Sequence, residues 1–139
     1  MRLGALLMLQ FFVHAYAQVA VVDAVIRDPI DRTMVRDLLL GRISTWSDGT
    51  QVILVLSSDP AGRAAIEALT GRDLDRLLRG WKRLVFSGAG AMPLVASGAQ
   101  EAVTLVSKRP GAIAIIGIAP PDTARIRVIP LGIPAGRQP

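Results

Sequence analysis

The stretch Leu38–Thr50, LLLGRISTWSDGT, constrains the fold of this chain more than any other. It reads as the end of an amphipathic helix, a short connector and a tight turn. Gly41 can take the left-handed backbone conformation that stops a helix without a Cβ penalty. Asp48-Gly49 is a strong turn dipeptide, and the apolar, β-branched run Gln51–Leu56 behind it has the length of a strand. Trp46 stands between helix and strand, where an indole folds back over apolar surface and clamps helix, turn and strand together.

The rest of the chain repeats that alternation. Val19–Ile26 is an apolar run with one charge, Asp23, and fits a buried strand. Asp28-Pro29 opens a helix, with Asp31 as the alternative cap, and Ile30, Met34, Val35, Leu38 and Leu39 recur at helical spacing toward the core. Ser57-Ser58-Asp59-Pro60 starts a second helix that ends at Thr70-Gly71. Asp73 starts a third, whose Leu74, Leu77, Leu78, Trp81, Leu84 and Val85 form an apolar stripe opposite a charged, solvated face. After the Ser87–Gly90 loop, Ser97 with Gln100 reads as a capping box for a helix that closes at Arg109-Pro110-Gly111. Ala112–Ile118 is unbroken apolar sequence, as in a central strand covered on both faces, and Arg125–Leu131 alternates as an edge strand would. Strands alternating with helices predict a three-layer α/β/α sandwich around a sheet of about four or five strands.

Residues 1–17 are set apart as a secretory signal peptide. Met1-Arg2 gives a positive start, Leu3–Val13 is largely apolar but too short to span a bilayer, and Ala15-Tyr16-Ala17 is a small-x-small cleavage site. The expected organisation is a leader over 1–17, one lobe over 18–131 and a Pro/Gly-rich tail over 132–139. A periplasmic or secreted product that does not span the membrane after cleavage follows from that reading. The single His and the single Tyr, His14 and Tyr16, fall within the leader, and the chain has no Cys. The remainder therefore lacks the residues for His/Cys zinc sites, Cys nucleophiles and Ser-His-Asp triads. Asp73 and Asp75 lie two apart on a helix and share no face, so they make a poor metal or acid/base pair. The sequence predicts no catalytic residues, no metal and no cofactor. A net charge of +5 invites a nucleic-acid reading, but the basic residues are dispersed, and Trp46, Trp81 and Phe86 are too few aromatics for a base-stacking platform.

These landmarks resemble a known family. Leu38–Gly49 is similar to the segment hxxIFLGxxxxWxDG of periplasmic phosphate-binding proteins of the ABC-transporter type. Trp81–Gly90 is similar to its WxxxxFxGxG, Val103–Arg109 to its Vxxxx helix, and Pro110–Ile113 to its PGAIGY turn. The resemblance runs from about Val19 to Val128 and implies one lobe of a type II periplasmic binding protein, a family in which an anion is held between two lobes.

The candidate anion site is Ser57, Ser58, Gly62 and Arg63, at the predicted start of the second helix, where unpaired amides and the helix dipole favour oxyanions. The family's phosphate motif, broadly RxDxSGT, falls here and half matches. Asp59 and Gly62 agree, whereas Ser57 stands in place of Arg, Ala61 in place of Ser and Arg63 in place of Thr. The structural alternative for the same residues is a capped helix with a close-packed glycine and a solvated arginine. The resemblance thus implies a solute binder for an oxyanion such as phosphate, partnered with an ABC permease or a membrane sensor. The rival expectation is a ligand-free interaction module that docks to another envelope protein. Ser87-Gly88-Ala89-Gly90 is a weaker phosphate cradle, because no Lys and no strand-to-helix context follow it.

Overall fold

Nine elements follow one another in the computed structural model, which describes residues 18–120 and 125–132. They are β1 (Val19–Asp23), α1 (Arg32–Leu39), β2 (Ile53–Ser57), α2 (Pro60–Thr70), α3 (Leu74–Phe86), β3 (Leu94–Ala96), α4 (Ala99–Lys108), β4 (Ala112–Ile116) and β5 (Ile126–Pro130). The proposed leader and all of the tail but Gly132 lie outside the described residues. The strands form one five-stranded sheet in the order β3-β2-β4-β1-β5. β2 runs parallel to both β3 and β4, while β1 is antiparallel to both β4 and β5, so the sheet is mixed.

Alternation along the strands sorts the core into two layers. Ala20, Val22, Leu54, Leu56, Ile113 and Ile115 face one way and pack with the apolar sides of α1, α2 and α3. Val19, Val21, Val55, Ala112, Ala114 and Ile116 face the other way and meet α4 through Ala102 and Val106. The result is the expected α/β/α sandwich, with helices on both sides of the sheet.

Local chemistry explains most element boundaries. Asp31, Asp59 and Asp73 each accept a hydrogen bond from the amide three residues on, which caps α1, α2 and α3. Of the two starts open to α1, Asp31 is therefore the one used. Asp28 instead takes two hydrogen bonds from Ser47, at 2.9 Å from its amide and 2.8 Å from its hydroxyl, and so ties the approach to α1 to the Asp48-Gly49 turn. The Ser97/Gln100 capping box is not formed. Gly98 is the N-cap of α4, and Glu101 reaches back to the amide and hydroxyl of Ser97, one position later than the motif requires. β3, only three residues long, is a strand that the sequence pattern did not reveal. β2 begins at Ile53 rather than Gln51, which makes only an isolated bridge to Thr45.

Both tryptophans act as clamps. Trp46 is buried, and its Nε1 donates to the carbonyl of Gly111 at 2.9 Å, joining the connector after α1 to the start of β4. Trp81 lies under α1 and donates from Nε1 to Leu39 O at 2.8 Å, satisfying a carbonyl left open at the helix end. Replacing Trp46 by Phe keeps a ring in place but leaves the buried carbonyl of Gly111 without its donor. We expect a loss of about 1–3 kcal/mol, measured as a lower urea midpoint at unchanged m-value.

Candidate functional site

β2 and β3 lie side by side and parallel, yet the chain leaves them in opposite directions. From β2 it passes into α2 on one face of the sheet, and from β3 into α4 on the other. In open α/β sheets the usual ligand position is a crevice beyond the carboxyl ends of the strands at such a reversal. Here its two lips are Ser57–Asp59 and Ala96–Gly98, joined by the Ser58 amide donating to Ala96 O at 2.8 Å.

All four sequence candidates fall at this crevice, in different roles. Ser57 is fully buried, and its hydroxyl donates to Asp59 Oδ1 at 2.8 Å. The same oxygen accepts the Gly62 amide at 2.9 Å, so the carboxylate of Asp59 already sits on the first turn of α2. Gly62 is there for space, because a Cβ would stand 2.4 Å from the carbonyl oxygen of Ser57. Arg63 folds back, with Nε donating to Ser58 O at 2.8 Å and the guanidinium 3.7 Å from Asp75. Ser58 has a half-buried side chain whose hydroxyl makes no hydrogen bond among the described residues.

Asp59, Gly98, Glu101 and Gly117 complete the arrangement. Asp59 Oδ2 accepts no hydrogen bond among the described residues and points toward Gly98, lying 3.8 Å from where a Cβ would stand there. No side chain caps α4, so its first amides keep the donors that a helix start leaves open. Gly117, just past β4, lets α2 approach: a Cβ on it would meet Ala61 O at 2.3 Å. A glycine directly after a predicted helix-capping serine was the available signal for Gly98. Glu101 was masked by the better motif match at Gln100.

The other sequence candidates stand apart. The Ser87–Gly90 loop leads into the start of β3 and hence lies at the opposite end of the strand from the crevice. Gly90 packs over Trp81, as part of the wall of a mainly apolar cleft of about 280 Å³ that also includes Met92 and Arg109. Both tryptophans are core residues.

The architecture is a mixed five-stranded sheet with helices on both faces. No family model matches the sequence, and no curated protein matches it. Among solved structures the chain is similar to an ABC-type phosphate transport receptor from Vibrio cholerae. The TM-score is 0.57 and the identity 17%, over 84% of this chain and 45% of that one. The likeness is one of fold, and this chain spans less than half the length of the receptor. Among the described residues no helix is long and apolar enough to cross a membrane.

The hydroxyl and then the amide of Ser97 hold the Glu101 carboxyl below its ordinary value of 4.5. A depressed folded value means that this contact stabilises the fold fully above the ordinary glutamate range and is lost as pH falls through the folded value. An NMR titration should therefore place the Glu101 midpoint below 4.5. Ser97→Ala should move it up toward that value.

Proposed function

We propose that this chain captures an oxyanion that carries a proton, inorganic phosphate being the simplest, in the crevice beyond β2 and β3. The observation that carries the reading is the carboxylate of Asp59. One oxygen is fixed by Ser57 and Gly62, while the other faces the uncapped start of α4 without a partner. A fixed, acceptor-only oxygen beside open amides suits a ligand with an acidic O–H as well as negative oxygens. Hydrogen phosphate has both. Sulfate at neutral pH has no proton to give, so Asp59 repels it.

In this scheme Ser57 and Gly62 hold the carboxylate, the Ser58 hydroxyl and the α4 amides meet the ligand, and Arg63 supplies neutralising charge from the rim. The fold likeness to a phosphate transport receptor supports a solute-binding role. An open crevice leaves charge-assisted bonds in high dielectric, so tight capture requires a second surface to close over it. An ABC permease or a membrane sensor in the periplasm is the partner class that this role implies. The proposed boundaries, a leader over 1–17 and a lobe over 18–131, fit an exported product.

A second reading is favoured by one observation. Asp59 already satisfies the α2 amide, and Arg63 is already engaged with Ser58 and Asp75, so the loop is complete without a ligand. On that reading the lobe is an interaction module that docks to another envelope protein.

Thermal melting at matched ionic strength separates the two. Phosphate at about 100 times its Kd should add about 2.7 kcal/mol, a rise of roughly 10 °C for a domain of this size. Sulfate should leave the melting point within about 2 °C. Asp59→Asn keeps a competent helix cap but replaces the acceptor with an amide, and should narrow the gap between the two anions. No stabilisation by any oxyanion would sink capture and favour docking.

A further inference from the structure

The exposed face of α3 carries an unusual combination. Arg76, Arg79, Lys82 and Arg83 project from it, and Phe86 stands at its end, 94% exposed. Helical spacing puts Phe86 one turn beyond Lys82 and Arg83 and two turns beyond Arg79, so the ring sits amid the cations rather than on the apolar side. The core-facing side of the helix is already occupied by Leu74, Leu77 and Trp81.

The helix dipole favours Lys82 and Arg83 near the end of α3 but does not account for the two arginines before them. Arg76 and Arg79 lie in the first half of α3, where cations oppose the dipole. Arg79 also stands three residues from both Arg76 and Lys82 and four from Arg83, spacings at which like charges repel. Nor are the cations paired. Elsewhere Arg32, Arg42, Arg63 and Arg127 are tied to carbonyls, an amide or carboxylates, and the other basic residues without such bonds are dispersed rather than gathered on one helix face. Among the described residues the side chains of Arg76, Arg79, Lys82 and Arg83 make neither an ion pair nor a hydrogen bond. Asp75, the acid on this face, is engaged by Arg63.

From this we infer that the exposed face of α3 is a docking surface for an anionic phospholipid bilayer, with Phe86 entering the headgroup layer among basic side chains. The occupant follows from charge and shape. Several long, unpaired cations call for a surface with many negative groups, and the total charge of +5 acts in the same direction at longer range. A single exposed aromatic on a convex helix, beside the half-buried Val85, offers little to the pocketed hot spots of a protein interface. A planar lipid surface requires no complementary pocket, and its interface takes up aromatic rings beside Lys and Arg. This inference is independent of the oxyanion site.

The test is co-sedimentation of the full chain with phosphatidylcholine vesicles, with and without phosphatidylglycerol. The Leu3–Val13 stretch is common to every variant and meets both vesicle types, so the readout is the ratio of anionic to neutral partitioning. Wild type should favour anionic vesicles, an advantage that high salt removes. Lys82→Glu with Arg83→Glu should lower that preference roughly a hundredfold, and Phe86→Ala should lower anionic partitioning about fivefold. Relieved repulsion offsets the cost of acidic side chains near the C-terminal end of α3, so the double variant should stay folded and melt close to wild type, as should Phe86→Ala at an exposed ring. Equal partitioning onto both vesicle types would overturn the inference. So would undiminished anionic binding by the double variant, or retention on immobilised polyglutamate without vesicle binding, which would assign the face to an acidic protein.

Discussion

Everything in this lobe depends on β4 being buried on both faces. Ala112, Ile113, Ala114, Ile115 and Ile116 have no exposed surface, and each side of the strand meets a different helical layer. A strand in that position must be apolar throughout, and glycines bound this one where other backbone comes close. At Gly111 the left-handed conformation brings the chain within van der Waals reach of Gln51 O. At Gly117 the first turn of α2 closes directly onto the strand's end. The sheet therefore holds α2 both by side-chain packing through Ala65, Ile66 and Leu69 and by close approach to the end of the strand at Gly117.

That constraint reaches the crevice. Because α2 is held against the end of β4, the turn from Ser57 to Gly62 has no room to relax, and Gly62 is packed as tightly as Gly117. Within this turn the Asp59 carboxylate is oriented by two hydrogen bonds, from the Ser57 hydroxyl and the Gly62 amide. Preorganisation of this kind lowers the ordering cost of binding. On the proposed reading it would also let a negative group serve at an oxyanion site, by discriminating through the proton that the ligand brings. Across the crevice, Gly98 leaves α4 without the side-chain cap that its neighbours α2 and α3 possess.

How much of this the sequence revealed depended on the range of the interactions involved. A polar cap at Ser58 or Asp59, the cap Asp73, the stop at Gly71 and the apolar run of β4 were legible because each is decided within a few residues. The choice between Asp28 and Asp31 was not, since it turns on Ser47, 19 residues away. The strand β3 went unseen because three residues carry too little periodicity, and its partner β2 rather than its own pattern makes it a strand. Ser57, Ser58, Gly62 and Arg63 lie together at the start of α2, where the turn-and-helix pattern put them. Their roles were not readable, since the inward turn of the Ser57 hydroxyl and the folding back of Arg63 are set by tertiary contacts. On α3 the charged face was legible as solvated, but the standing of Phe86 within it required the helix to be seen in place.

Ligand capture, as proposed, happens at the reversal between β2 and β3, around the Asp59 oxygen that has no partner among the described residues. The most direct test is an amide NMR titration of the purified protein with inorganic phosphate. Saturable shifts confined to Ser58–Arg63 and Gly98–Glu101 are the expected result. Shifts spread along the basic face of α3, or none that saturate, would contradict it.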